Sequence, residues 1–163
     1  MKTNYWICLI VLILCSVTIV DAKKKDKPLD YEISCAGSGT QGYSLVRVKA
    51  VVDNKKDIGE NILKRCAVHG VLFRGYSGGQ GCVSQPPLAG SATVEQQYSD
   101  FFQPFFQSGG GCESYSTVVE GSLQTVKQGK QFVVTGIVNV SKSQLRKRSW
   151  QLHLFSIWQS DNG

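Results

Sequence analysis

Residues 43–52 alternate. Ser44, Val46, Val48, Ala50 and Val52 fall on one side; Tyr43, Arg47 and Lys49 fall on the other. A period of two marks a strand with one face in a core and one in water. The shorter stretch over 31–36 reads as a preceding strand, joined to it through the flexible turn Gly37-Ser38-Gly39-Thr40-Gln41-Gly42. The period then changes. Asp57 is placed to cap a helix, with Glu60 at the capping-box position, and Ile62, Leu63, Cys66, Ala67 and Gly70 form one helical stripe. Residues 71–74 read as a short apolar strand, and 75–87 as a glycine-rich loop closing on Pro86-Pro87. A second helix is predicted over 93–106, capped by Ser91 or Thr93. Val94, Tyr98, Phe101, Phe102 and Phe105 recur at helical spacing there, and Pro104 should kink or end it. Residues 115–127 and 130–140 read as two long strands around a Gln128-Gly129 turn. Tyr115, Thr117, Val119 and Leu123 are expected on one face of the first; Phe132, Val134, Val138 and Val140 on one face of the second. Ser141 can cap a last helix running through Arg148.

The order β-β-α-β-α-β-β-α predicts an α+β fold. The expected form is a two-layer sandwich: a mainly antiparallel sheet of four to five strands, with two to three helices on one face. The predicted boundaries are residues 1–22 as a cleaved leader, 23–30 as a flexible basic lead-in, 31–149 as one domain, and 150–163 as a tail without an assigned element.

The leader reading rests on Lys2, an apolar run of about sixteen residues over 5–20, and the small-residue site Val20-Asp21-Ala22. It predicts an exported protein, periplasmic or secreted, with no transmembrane span in the mature chain. The net charge of +6 includes the cluster Lys23, Lys24, Lys25 and Lys27 and the cluster Arg146, Lys147 and Arg148. In an exported chain such charge favours an envelope or extracellular protein or glycan over nucleic acid. Cleavage removes two of the six cysteines and leaves Cys35, Cys66, Cys82 and Cys112. An even set in an exported chain implies disulfides. Cys82 and Cys112 share glycine-rich contexts at the two ends of the second helix, so a Cys82–Cys112 bridge is expected. Cys35 and Cys66 are either a second pair or two buried thiols.

Motifs for chemistry are incomplete. The glycine turn at 37–42 matches a dinucleotide fingerprint, but a strand follows it where the pyrophosphate needs a helix. Gly75-Tyr76-Ser77-Gly78-Gly79 matches a nucleophile elbow, and Ser77, Asp100 and His153 run in hydrolase order; the glycines and prolines that follow leave no helix to expose the serine. Cys66 and His69 lie three apart on one helix, half of a metal site with no second pair of ligands. Neither a metal nor a cofactor is expected. Asn139-Val140-Ser141 is a glycosylation sequon.

Residues 31–140 resemble small exported bacterial domains related to the amino-terminal domain of the periplasmic flagellar assembly protein T and to small outer-membrane lipoproteins. The likeness lies in the glycine turn leading into a basic strand at 42–52 and in Cys66-Ala67-Val68-His69-Gly70-Val71-Leu72-Phe73-Arg74-Gly75, helped by Ser141, Leu145, Arg146 and Lys147. It implies an envelope-associated, non-enzymatic α+β domain.

Phe101-Phe102-Gln103-Pro104-Phe105-Phe106 carries four phenylalanines that one helical stripe cannot hold. A kink at Pro104 would turn the end outward, so Tyr76, Phe102, Phe105 and Phe106 are the expected binding surface. The leading functional reading is a non-catalytic exported domain that binds a partner. The alternative is a small secreted hydrolase with its site in the loop between Gly75 and Gln85.

Overall fold

The computed structural model describes residues 28–79 and 81–151. The leader, most of the lead-in and nearly all of the tail lie outside them. The fold is α+β, with a five-stranded antiparallel sheet. Strand β1 (Tyr31–Gly37) pairs with β2 (Tyr43–Val52), and β2 pairs with β5 (Gln131–Ser141). Two short strands, β3 (Ser116–Val118) and β4 (Gln124–Gln128), lie end to end along the other edge of β5.

Helix α1 (Glu60–His69) packs on one face of this sheet. It fits closely. A Cβ at Gly136 of β5 would come within 2.5 Å of the Leu63 Cδ1, and one at Gly70 within 2.6 Å of the Ile33 Cδ1. Leu63, Cys66, Ala67 and Val68 are buried against Val46, Val48, Ala50, Val134 and Val138, so the alternation of β2 and β5 builds the core as expected. The predicted cap does not form. Asp57 sits in a 3-10 turn (Lys55–Asp57) and accepts a hydrogen bond from the Asn54 side chain at 3.0 Å, while the helix begins after Gly59.

Residues 71–74 are not a strand. The helix runs on into a π turn (Gly70–Arg74) that buries Val71, Leu72 and Phe73 and ends at Gly75, whose φ is +67°. Only glycine fits there, since a Cβ would lie 2.4 Å from the Gln85 carbonyl oxygen. The second predicted helix is two pieces, α2 (Thr93–Gln97) and α3 (Ser99–Phe105). The break falls at Tyr98, and Pro104 lies inside the last turn of α3. Neither expected cap forms: Ala92 holds the N-cap position with no side-chain bond, and the Ser91 hydroxyl accepts from the Thr93 N–H at 3.2 Å in a local turn just before the helix.

The predicted strand over 115–127 is interrupted at 119–123. There the Ser122 hydroxyl takes the place of a backbone partner: it accepts from the Ile137 N–H at 3.0 Å and donates to the Val119 carbonyl at 2.6 Å. Of the four residues expected on one face, Tyr115 is half-buried and the other three lie on the outer side. Ser116 and Val118 point into the core, whereas Thr117, Val119 and Leu123 are exposed. The β4–β5 hairpin turns through Gly129 and Lys130, with Gln128 opposite Gln131. Helix α4 (Lys142–Gln151) closes the described chain and sends Leu145 into the core. Among the described residues no helix is long and apolar enough to cross a membrane.

Candidate functional site

The expected Cys82–Cys112 bridge is replaced by a Cys35–Cys82 disulfide. Three further contacts explain the exchange. The Tyr76 hydroxyl donates to the buried Ser44 hydroxyl of β2 at 3.0 Å, Lys142 Nζ donates to the Gln85 side chain at 3.1 Å, and Tyr76 and Gln85 exchange backbone hydrogen bonds. These hold the 75–87 loop at the β1–β2 end of the sheet, where Cys35 lies. Cys112 belongs to a 3-10 turn (Gly111–Tyr115) and points into the core. Cys66 and Cys112 are both fully buried thiols, pushed up to about 12 by burial. Neither has the thiolate character of a nucleophile.

The phenylalanine run is divided by depth. Phe102 and Phe106 are buried and stack on each other; Phe101 and Phe105 are half-buried. The break at Tyr98 sets a phase different from a single helix, and that phase turns Phe106 inward. The expected surface is therefore not one patch. Phe102 and Phe106 are core, Phe105 is half-covered, and Tyr76 packs elsewhere, on Ser44.

No sequence pattern points to the junction around His69. Its imidazole is 13% exposed and stands edge-on to the rings of Tyr31, Phe73 and Phe106 at 5.2–5.6 Å. His69 Nε2 lies 2.9 Å from the Glu95 carboxylate of α2, and Nδ1 lies 2.6 Å from the Tyr31 hydroxyl of β1. A carboxylate only accepts, so Nε2 carries the proton and Nδ1 accepts from Tyr31 O–H. Arg74 lies over the Tyr31 ring at 4.1 Å and donates to the Tyr31 carbonyl at 3.0 Å. Burial pushes the Tyr31 phenol well above its ordinary value. Both ring nitrogens of His69 are thus engaged within the fold, and Cys66 and His69 converge on no metal site: among the described residues no cluster of three metal-ligating side chains forms.

The Ser77 loop is not an elbow. Tyr76 and Gln85, and Gly79 and Cys82, form a small antiparallel ribbon in place of the helix an elbow needs. Asp100 is exposed on α3, and His153 lies outside the described residues. A strand follows the 37–42 turn, which is the geometry of a hairpin.

A cleft of about 440 Å³ lies where β2 ends and α1 begins. Its carboxylates are largely engaged: Asp57 with Asn54, Glu60 with Lys64 at 3.4 Å, and Asp53 with Gln131 at 2.9 Å.

The feature that offers most to a partner is the face of the sheet opposite α1. Strand alternation places Tyr43, Leu45, Arg47, Lys49 and Val51 of β2 there, with Val133, Thr135, Ile137 and Asn139 of β5 and Val126 of β4. None of these residues is buried. Val51, Val133 and Val126 are paired across three strands, forming an apolar line whose outer member is 64% exposed. Lys49 is held by Glu32 of β1 at 3.3 Å, beside Arg47. The sequence predicts this face as wet because Arg47 and Lys49 mark it; the β5 and β4 residues that make it half apolar become its members only through register. Asn139 of the sequon also lies on it, paired with Leu45 and Thr117. No family model matches this chain, and no curated protein or solved structure matches it.

Proposed function

We propose that this chain is an exported, non-catalytic domain that binds an envelope or extracellular protein across the face of its sheet opposite α1. The observation that carries this reading is the line Val51–Val133–Val126, apolar and unburied, with Arg47 and Lys49 beside it. An apolar strip with a charged margin suits a protein surface better than a glycan. Export is supported by the leader-like residues 1–22 and by the Cys35–Cys82 disulfide, a bond that persists in oxidising compartments. The resemblance to envelope-associated domains points the same way. The absence of catalysis is supported by the enclosure of His69, Tyr31, Cys66 and Cys112. The hydrolase reading gains no support, because no described side chain hydrogen-bonds the Ser77 hydroxyl.

The test pairs Val126→Lys with Ile137→Thr on the open face. A partner cross-linked to the wild-type protein in its native envelope or medium is identified, purified and titrated by calorimetry. The double variant, shown to be folded by circular dichroism, is expected to bind at least about tenfold more weakly, which corresponds to about 1.4 kcal/mol. Equal affinity would remove the sheet face as the binding surface.

A further inference from the structure

The geometry points to an acid-sensitive latch: His69 fastens the α2–α3 segment to the body of the domain while its ring is neutral, and releases it when the ring is protonated. Four elements meet at this imidazole. β1 presents the Tyr31 hydroxyl, the π turn presents Phe73 and Arg74, α2 presents Glu95, and α3 leads into Phe106. Asp100, the other charged group on this segment, is exposed. Helix α2 is five residues long and buries none of them; Val94 packs against the core and the Glu95 carboxylate ties it to His69.

The neutral ring satisfies both neighbours. It donates through Nε2 to Glu95 and accepts through Nδ1 from Tyr31. A second proton goes to Nδ1, where the Tyr31 O–H already points. The tyrosine must then turn its own proton away, and at 5% exposure it has little water to receive it. The charged ring is also enclosed by three aromatic side chains with the Arg74 cation nearby. Glu95 attracts the charge, but burial outweighs it and holds His69 below its ordinary value. The sign follows. A group whose folded pKa lies below its unfolded value gives its full stabilisation above about pH 6.5 and loses it as pH falls through the folded value.

Opening would uncover Phe102 and Phe106, which lean on Phe73 and the His69 ring. The latch thus controls a second, concealed aromatic surface, distinct from the open sheet face.

The experiment is amide hydrogen exchange on the secreted chain between pH 7.5 and 5.0, corrected for intrinsic rates. Opening of residues 93–106 is expected to rise by up to about tenfold per pH unit below about 6.5, until the folded pKa is reached. Strands β2 and β5 should keep their protection. His69→Gln should abolish the pH dependence of 93–106 whatever its basal opening. Tyr31→Phe, which removes the competing O–H donor, should move the transition to higher pH. If His69→Gln does not fold, the His69 imidazole is titrated by NMR in the wild type, with a midpoint below about 6.5 expected. A midpoint at or above that value, exchange of 93–106 that stays flat with pH, or loss of protection shared equally by β2 and β5 would each overturn the proposal.

Discussion

Helix α1 meets the sheet through shape. Gly70 and Gly136 remove two side chains so that Ile33 and Leu63 can occupy their places. The stretch from residue 75 to 115 buries Phe102, Phe106 and Cys112 and adds separate point attachments: the Cys35–Cys82 disulfide, Tyr76 on Ser44, Arg65 Nε on the Phe106 carbonyl at 2.6 Å, and His69 on Glu95. The difference separates what is unconditional in this molecule from what depends on its surroundings. A close-packed layer answers to volume alone, whereas a disulfide answers to redox state and a histidine to pH.

The strongest way to break that contrast is to remove the disulfide. The bridge spans 47 residues of sequence, and Cys35→Ser with Cys82→Ser should cost about 4 kcal/mol in urea unfolding by the chain-entropy account. Native-state exchange should then rise first in residues 75–88. If β2 and β5 open equally, the loop is not a separate attachment. Next comes Leu63→Ala, expected to cost about 3 kcal/mol, since Leu63 is fully buried. Gly136→Ala alone should cost about 1–2 kcal/mol, and less when Leu63 is already shortened. Strict additivity in that double-mutant cycle would contradict packing by shape. Tyr76→Phe leaves the Ser44 hydroxyl, 1% exposed, without its donor and should cost about 1–2 kcal/mol by thermal or urea denaturation. Smallest of all, Val126→Thr on the open face should leave stability within about 0.5 kcal/mol of wild type. A larger loss would mean that this face is covered by something the chain itself supplies.

What could be read from the chain follows the same division. The alternation of β2 and β5 and the stripe of α1 are legible because each is long, periodic and packed by shape. Residues 71–74 mislead because a four-residue apolar run has no period of its own; here it completes a π turn at the end of a helix. The stretch 115–127 misleads as one long strand because its residues keep alternating through 119–123, where the strand is broken and Ser122 meets the Ile137 N–H with its side chain. Proximity between the first strand and the 75–87 loop decides the disulfide, and no local pattern encodes that. The His69 junction joins residues 38 and 26 positions apart, and nothing around Tyr31 or Glu95 marks them as its partners. Phe102 and Phe106 were visible as unusual residues, but their depth depends on a helix break at Tyr98 that carries neither proline nor glycine.

The interruption at 119–123 has a consequence beyond topology. A long, regular outer strand is a template on which another chain can add, the first step toward fibrils and swapped dimers. Here that outer strand is cut into pieces of three and five residues; between them the Val119 N–H still donates to the Ile137 carbonyl, but the Ile137 N–H is met by the Ser122 side chain instead of by backbone. The second piece also carries Lys127. A concentrated solution of this protein is thereby protected against edge-to-edge assembly on the side where its sheet would otherwise grow.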